Sequence, residues 1–259
     1  MLLANRVAIV SGIGPGMGRD ISLALAREGA DVALAARGAD KLAAVAAEIR
    51  ALGRRAVEVP TDIARDEDCR RLVETAVREL GRVDVLVNNA FKGGVEPLFS
   101  DADLAMWRKV FDVNVFGSLQ LTQAVIPHMR RQGGGSIVFI NSMSMRVIEP
   151  RFAGYASSKG ALMIAAQSLA RELGPDKIRV NSVVPGYIWG AALEGYFKSL
   201  AAQQGVTADD IYRQIASRTA LNHIPTSEEI ADAVLFFASD LSRVVTGQAL
   251  DVNGGHFFH

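Results

Sequence analysis

Short apolar runs alternate with helical patterns along almost the whole chain, and this alternation restricts the possible folds more than any other feature. The apolar runs are continuous, as in strands covered on both faces. Glycines end several of the helical patterns, at Gly29, Gly53 and Gly81. Because β-α alternation demands a parallel sheet with helices on both faces, we predict one α/β domain with a doubly wound, seven-stranded sheet over residues 1–259. The predicted strands are Val7–Val10, Val32–Ala36, Ala56–Val59, Val83–Val87, Ser136–Ile140, Arg179–Val184 and Ala249–Val252.

The helical patterns complete this arrangement and include one insertion. The predicted helices are Met17–Glu28, Lys41–Leu52, Asp66–Leu80, Ala102–Arg131 with a break near Asp112, Gly154–Leu173 and Glu228–Ser239. Between the sixth strand and the last helix, residues 187–224 contain two further amphipathic patterns, near Leu193–Gln204 and Asp209–Ala220. Ligands of such sheets bind beyond the carboxyl ends of the strands, so we expect this insertion to cover a substrate site as a lid.

The composition and charge balance of the chain restrict the classes of partner that it is expected to bind. Nearly half of the 259 residues are apolar, and 28 basic side chains balance 28 acidic ones, which argues against nucleic acid or an anionic membrane as the main partner. The N-terminus lacks a signal-peptide pattern and no apolar run has the length of a membrane span, so we expect a cytoplasmic protein. The single cysteine, Cys69, falls within an amphipathic helical pattern and is interpreted as structural. No metal site is predicted.

The segment after the first strand indicates a dinucleotide site. Gly12, Gly14, Gly16 and Gly18 fall between the strand and the helix that begins near Met17. Glycine allows the backbone to approach a pyrophosphate, and the helix N-terminus supplies free N–H groups and a partial positive charge. An ordinary tight turn is the alternative, but the position directly after the first strand favours a cofactor loop.

The end of the second strand bears on the choice between NAD and NADP. An NAD site usually places a carboxylate there, whereas an arginine suits the 2′-phosphate of NADP. Here the strand is followed by Arg37, and no acid occurs before Asp40. We therefore favour NADP over NAD, although Arg37 could also be a surface residue that opens the next helix.

Polar residues follow the third and fourth strands. Asp62 could bind an adenine amino group or cap the following helix. Asn88 and Asn89 could join neighbouring strand ends and line the cofactor cleft, or form a simple turn.

Tyr155 and Lys159 lie four residues apart in a helical pattern, so they share one helix face. A neighbouring ammonium favours the phenolate, so we expect a lowered pKa for Tyr155, which would suit a general acid or base. Ser142 follows the fifth strand, where its hydroxyl would be free to bind a substrate oxygen. A half-exposed tyrosine beside a solvated lysine is the alternative, since a Tyr-x3-Lys pair alone is weak evidence.

Taken together, these motifs resemble the short-chain dehydrogenase/reductase family. The matching residues, in the family's order and spacing, are Gly12-x3-Gly16-x-Gly18, Asp62, Asn88-Asn89-Ala90, Asn114, Ser142, Tyr155-x3-Lys159, Pro185-Gly186 and the C-terminal Thr246-Gly247-Gln248 and Asn253-Gly254-Gly255. The resemblance covers essentially the whole chain and implies a Rossmann-type fold and hydride transfer between a nicotinamide cofactor and a secondary alcohol or ketone.

The resemblance also implies a role for each residue. Tyr155 would be the general acid or base, Lys159 would lower its pKa and hold the nicotinamide ribose, and Ser142 would polarise the carbonyl. Asn114 would fix a water that relays protons toward Lys159. The implied cofactor contacts are Gly12, Gly14, Gly16, Met17, Gly18, Arg37, Asp62, Ile63, Asn89, Ala90, Tyr155, Lys159, Pro185, Gly186 and Ile188.

Three positions depart from the family pattern. Phe91 replaces the glycine that often follows Asn-Asn-Ala, Gly190 replaces a threonine that contacts the cofactor, and Asn253 replaces a C-terminal acid. None of these departures affects the four catalytic positions, so an active enzyme is expected.

The substrate side is less defined. We expect Met143, Met145, Tyr187 and Trp189, with Phe197, to line an apolar pocket for a bulky alcohol or ketone, with plain packing as the alternative. Arg146 and His223 would either read a polar substituent or be solvated.

Two other functions share part of this motif pattern. A catalytically silent dinucleotide-binding regulator or scaffold is disfavoured because Asn114, Ser142, Tyr155 and Lys159 are all present. An enoyl reductase is a weaker rival, since relatives of that type space the Tyr and Lys more widely. A homotetramer or homodimer, paired through the helices that carry Asn114 and Tyr155, is the assembly that the resemblance implies.

Overall fold

The computed structural model describes residues 1–258 and contains one sheet of seven strands. Every neighbouring pair of strands is parallel, in the order β3-β2-β1-β4-β5-β6-β7. The chain adds β2 and β3 on one side of β1 and adds β4 to β7 on its other side. The strand order therefore reverses between β1 and β4, and a ligand crevice forms at such a point. This arrangement confirms the predicted fold class. The strands are β1 (Val7–Ser11), β2 (Asp31–Ala36), β3 (Ala56–Pro60), β4 (Val85–Asn88), β5 (Gly135–Ile140), β6 (Ile178–Pro185) and β7 (Ala249–Val252).

Nine α-helices surround the sheet in the described part of the chain. They are α1 (Met17–Arg27), α2 (Ala39–Ala51), α3 (Asp66–Leu80), α4 (Leu104–Phe111), α5 (Ser118–Arg131), α6 (Ala153–Leu173), α7 (Ala191–Gln204), α8 (Ala208–Ala216) and α9 (Ser227–Ala238). None of these helices combines the length and the hydropathy that a membrane span requires.

The two faces of the sheet bury separate apolar clusters. Successive strand residues point to opposite faces, so Ala8 and Val10 of β1 pack with α1, α2 and α9, whereas Val7 and Ile9 pack with α3, α5 and α6. Both faces are therefore fully covered, which explains why the strands read as continuous apolar runs rather than alternating ones. Cys69 belongs to the second cluster and is fully buried.

The long helical stretch predicted near Asp112 is interrupted in a specific way. Instead of a break, a π-helical segment, Asp112–Gly117, joins α4 directly to α5. At Gly117 a Cβ would lie only 2.8 Å from the carbonyl oxygen of Ile63, so this segment packs closely against the loop after β3. Single π turns of this kind occur frequently at functional sites, and this one contains the fully buried Asn114.

Helices α7 and α8 form a small apolar cluster of their own. The buried side chains of Phe197, Ile211 and Ile215 pack together, and the partly buried Trp189 and Tyr212 lie against them. The two predicted amphipathic patterns of this insertion thus correspond to two helices. Helix α8 begins directly after Thr207, which is its N-cap residue. The side chains of Thr207 and Asp210 form a capping box there.

Candidate active site

The glycine loop lies between the carboxyl end of β1 and the start of α1. Gly12 has a φ of +80°, and a Cβ there would lie 2.5 Å from the Cα of Ala90, so only glycine fits. A Cβ on Gly18 would lie 2.3 Å from the carbonyl oxygen of Gly12. Added Cβ atoms on Gly14 and Gly16 would meet nothing within 4 Å. Two glycines therefore pack the loop tightly, while two leave open backbone next to Met17 and the N-terminus of α1, as a pyrophosphate requires.

A cleft of about 450 Å³ continues from this loop across the ends of β2, β3 and β4. Two cationic side chains, Arg37 and Lys41, lie on its wall beside β2, and neither has a hydrogen-bond or ion-pair partner among residues 1–258. Lys41 was not identified as a cleft residue from the sequence, although it stands only four residues after Arg37. The predicted contacts that line this cleft are Gly12, Arg37, Asp62, Ile63, Asn89 and Ala90.

The polar residues after β3 and β4 hold the strand ends together. Asn89 donates from Nδ2 to the carbonyl oxygens of Ser11 at 3.1 Å and Gly12 at 2.9 Å, so it fixes the start of the glycine loop while lining the cleft. Asn88 donates to Thr122 Oγ1 at 3.0 Å. Asp62 does not cap α3, whose N-cap position is Arg65; its Oδ1 accepts instead from the Ala64 N–H at 3.1 Å.

Ser142 and Tyr155 face one cavity of about 170 Å³. Ser142 lies just beyond the end of β5, and Tyr155 is the third residue of α6. The Ser142 oxygen accepts hydrogen bonds from the backbone and hydroxyl of Ser144, at 3.2 and 3.0 Å, which leaves the Ser142 proton free to point elsewhere. The cavity lining is mostly apolar and consists of Ser142, Met143, Ser144, Val147, Glu149, Phe152, Tyr155, Gly186, Tyr187 and His256.

Lys159 lies behind Tyr155 and is almost completely buried, with 3% of its surface exposed. Its Nζ donates to the carbonyl oxygen of Ile140 at 2.7 Å and lies 5.7 Å from the centroid of the Tyr155 ring. Burial without a carboxylate partner lowers the pKa of Lys159 from 10.5 to about 7. The amine can therefore gain or lose a proton near neutral pH.

The expected direction of the Tyr155 shift is wrong in this structure. Burial raises the pKa of Tyr155 above its ordinary value, and a hydrogen bond with Ser142 acts in the opposite direction. The Lys159 amine does not offset this burial, because its own pKa of about 7 leaves it uncharged at the higher pH where the phenol titrates. Tyr155 is thus a protonated phenol in the cofactor-free protein, which suits a proton donor.

Asn114 is connected to Tyr155 by hydrogen bonds through Ser158 of α6. Its Oδ1 accepts from the Lys92 N–H at 2.7 Å, and its Nδ2 donates to the Lys92 carbonyl oxygen and to Ser158 Oγ, both at 2.9 Å. Ser158 in turn donates to the Tyr155 carbonyl oxygen at 2.7 Å. Both N–H donors of the Asn114 side-chain amide are therefore used in holding protein groups, and its Oδ1 keeps one further lone pair. The sequence did not identify Ser158 as part of this network, although it lies on α6 together with Tyr155 and Lys159.

The structure separates the residues expected to bind substrate. Met143 and Tyr187 line the Tyr155 cavity, but Met145 lies in a different cavity with Ile164 and Gln248, so its assignment is corrected. Trp189 is corrected as well, because it packs with Phe197 and, edge to face, with Tyr212 at 4.7 Å between ring centroids.

Arg146 and His223 lie away from the cavity, whereas Phe152 and His256 line it. Arg146 pairs with Asp251 at 3.3 Å, and His223 bonds Glu229 at 2.7 Å, so neither lines the Tyr155 cavity. Phe152 was missed despite its position three residues before Tyr155, where helical spacing could have indicated it. His256, which stacks 5.9 Å from Tyr187, reaches the cavity from the far end of the chain and had no local signal.

The three departures from the family pattern have structural consequences. Phe91 is 60% exposed and lines the cleft of about 450 Å³, and its ring centroid lies 6.3 Å from that of Tyr155. Asn253 is buried, and its Oδ1 accepts from the N–H groups of Gly255 and His256, as a carboxylate would. Gly190 precedes α7 in an extended conformation, with no side-chain cap. Of the remaining predicted contacts, Pro185 ends β6 and Ile188 packs against the cluster under α9.

The chain is similar to known proteins over almost its whole length. A family model described as enoyl-(acyl carrier protein) reductase matches residues 12–256. The 7α-hydroxysteroid dehydrogenase of Escherichia coli (strain K12) is 35% identical over 253 residues, which are 98% of this chain and 94% of that protein. The chain belongs to the short-chain dehydrogenase/reductase family. A 3-oxoacyl-[acyl-carrier-protein] reductase of Staphylococcus epidermidis is 33% identical over 98% of this chain and 99% of its own length.

Solved structures of family members agree with the fold and the cofactor class. A 7α-hydroxysteroid dehydrogenase complexed with NADH and 7-oxo glycochenodeoxycholic acid has a TM-score of 0.87 at 35% identity, covering 98% of this chain and 94% of that one. L-Sorbose reductase from Gluconobacter frateurii, complexed with NADPH and L-sorbose, has a TM-score of 0.93 at 30% identity, covering 99% and 98%. This short-chain dehydrogenase/reductase is accordingly an oxidoreductase that uses a nicotinamide cofactor on alcohol or ketone groups.

Proposed function

We propose that this short-chain dehydrogenase/reductase is an NADPH-dependent ketone reductase in which Tyr155 is the proton donor. The observation that carries the proposal is the placement of Ser142 and Tyr155 on one cavity, with the buried Lys159 amine behind the phenol. A reduced nicotinamide supplies the hydride. Ser142 donates a hydrogen bond to the substrate carbonyl oxygen, and Tyr155 transfers its proton to that oxygen. Protonated Lys159 stabilises the phenolate that remains.

The cofactor preference rests on Arg37 and Lys41. Both side chains lie on the cleft wall at the end of β2, where the adenosine ribose binds in this type of fold, and neither is neutralised by a partner within residues 1–258. A 2′-phosphate would pair with both cations, whereas the 2′-hydroxyl of NAD would leave them unpaired.

The cofactor preference is tested by titrating the protein with NADPH and NADH and following nicotinamide fluorescence. We expect NADPH to bind at least about tenfold more tightly, and Arg37→Ala to weaken NADPH about tenfold while leaving NADH within about twofold. Lys41→Ala should act in the same direction, and Arg78→Ala, an exposed arginine on α3, is the matched control. Equal affinities for the two cofactors in the unaltered protein would contradict the preference for NADPH.

The substrate is proposed to be a bulky, largely apolar ketone. The cavity beside Tyr155 is lined by Met143, Val147, Phe152 and Tyr187, and its charged contribution comes from Glu149 at the exposed edge. The oxo-steroid bound by a 35% identical relative belongs to this chemical class. We expect a larger kcat/KM with a fused-ring ketone than with a short linear ketone. The reverse order would contradict this substrate class.

The assignments of the lid and of the assembly are proposals of the same kind. Helices α7 and α8 would cover the substrate, since the chain enters them directly after Tyr187 on the cavity wall. Pairing of copies through α5 and α6 would give a dimer or tetramer, which the elution volume and scattering mass of the purified protein would test.

A further inference from the structure

The loop after β4, residues 91–98, is fastened at two points to the elements that carry the catalytic residues. The first point is Lys92, whose backbone N–H and carbonyl oxygen both bond the side chain of Asn114. The second is Glu96, whose N–H donates to the Arg151 carbonyl oxygen at 2.8 Å. Arg151 Nε returns a hydrogen bond of 2.9 Å to the carbonyl oxygen of Glu96. The loop therefore bridges the π-helical segment and the start of α6.

Glu96 also caps the N-terminus of α6, which the residue before this helix cannot do. The residue before α6, Phe152, has no side chain that can accept a hydrogen bond, so the first N–H groups of this helix need another partner. The carboxylate of Glu96 accepts the Gly154 N–H at 3.0 Å from 58 residues away in sequence. Its negative charge lies at the positive end of the helix dipole, where it is favourable.

Two glycines allow this close approach. A Cβ on Gly154 would lie 2.7 Å from Glu96 Oε1 and 3.0 Å from the ring of Trp107, so a side chain there would displace the carboxylate. A Cβ on Gly93 would lie 3.0 Å from Cδ2 of Tyr155 and 3.2 Å from Cε2. Thus the loop backbone at Gly93 rests on the ring of Tyr155, while Glu96 holds the first turn of the helix that carries this residue.

We propose that Glu96 is a positioning residue for Tyr155. By capping α6 it keeps the first helical turn formed and holds Gly93 against the phenol ring, so that the hydroxyl stays aimed at the carbonyl site beside Ser142. Loss of the cap lets the turn fray and the phenol drift, and an error of about 1 Å in a reacting group can cost about 100-fold in rate. This inference rests on the proposed role of Tyr155 as proton donor.

The test compares Glu96→Ala with Glu96→Gln. The glutamine carbonyl can still accept the Gly154 N–H, whereas alanine cannot. We expect Glu96→Ala to lower kcat by about 10- to 100-fold and to leave the cofactor Kd within about twofold. Glu96→Gln should keep most of the kcat of the unaltered protein. Thr226→Ala, which removes the side-chain cap of α9, is the control for a loss of cap alone and should lower Tm without lowering kcat.

The outcomes separate this inference from the proposed function. If Glu96→Ala changes only Tm, as Thr226→Ala does, the positioning role is wrong. If Tyr155→Phe in the same assay keeps full turnover, the proposed proton donor is wrong instead. Should Glu96→Ala fail to fold, Gly93→Ala provides the test, because its methyl group presses on the Tyr155 ring. It should lower kcat with an unchanged cofactor Kd, and an unchanged kcat would refute the positioning of Tyr155 by this loop.

Discussion

Replacing the buried Lys159 by methionine should change how the stability of the cofactor-free protein depends on pH. The folded pKa of Lys159 is lowered from 10.5 to about 7 by burial, so the native state releases this proton at a lower pH than the unfolded chain does. The unfolded chain therefore binds more protons between these two values, and stability rises with pH across that window. The full shift corresponds to about 5 kcal/mol, of which about 2 kcal/mol falls between pH 7 and pH 9.

The measurement is urea unfolding of the cofactor-free protein at about pH 7, 8 and 9. We expect the unaltered protein to gain about 2 kcal/mol over this range relative to Lys159→Met, which lacks the titrating group. Other titrating groups cancel in this difference, including Cys69, whose pKa burial raises to about 12 and which opposes the trend at high pH. Lys109→Met, at an exposed position on α4, is the control and should keep the slope. Parallel pH profiles for Lys159→Met and the unaltered protein would refute the claim that Lys159 is buried without a counter-charge.

Two further predictions concern the glycine loop and the cysteine. Gly18→Ala should abolish detectable cofactor binding and lower Tm, because its Cβ would lie 2.3 Å from the carbonyl oxygen of Gly12. Gly53→Ala, at a helix end far from the cleft, is the control and should lower Tm alone. Cofactor fluorescence and thermal unfolding measure the two effects, and normal cofactor binding by Gly18→Ala would contradict the loop geometry. Cys69 should react with a thiol reagent only after unfolding, since it is fully buried with a raised pKa, and fast labelling of the native protein would contradict this.

The architecture could be predicted from the sequence because its signal is local and repeated. The central strands are apolar runs covered on both faces, and several helix patterns end near a glycine such as Gly81, which adopts the left-handed conformation at the end of α3. The strand order could not be read from local patterns. It follows from which helices cover which face, and that depends on contacts between distant segments.

The π-helical segment shows where local reasoning fails. The sequence indicates an interruption near Asp112 but not its kind, because the extra residue in the turn is stabilised by the contact of Gly117 with the loop after β3. The same limit applies to Trp189. Its aromatic character suggested a pocket wall, but packing against Phe197 and Tyr212 places it within the cluster of α7 and α8.

The pKa of Tyr155 was predicted with the wrong sign for a related reason. Spacing in the sequence shows that Lys159 shares a helix face with Tyr155, and this pairing is present. It does not show how deeply both groups are buried, and burial, which disfavours the charged phenolate, raises the pKa of Tyr155. Glu96 had no recognisable signal either, since a helix cap supplied from 58 residues away leaves no local pattern.

The most direct test of the central claim is turnover by Tyr155→Phe, measured as NADPH oxidation with a fused-ring ketone, alongside the NADPH affinity of the same variant. Phenylalanine keeps the ring that packs under Gly93 and removes only the hydroxyl. We predict an unchanged fold, NADPH affinity within about twofold, and a loss of at least about 100-fold in kcat, as expected for removal of a general acid. Turnover close to that of the unaltered protein would show that Tyr155 does not donate the proton.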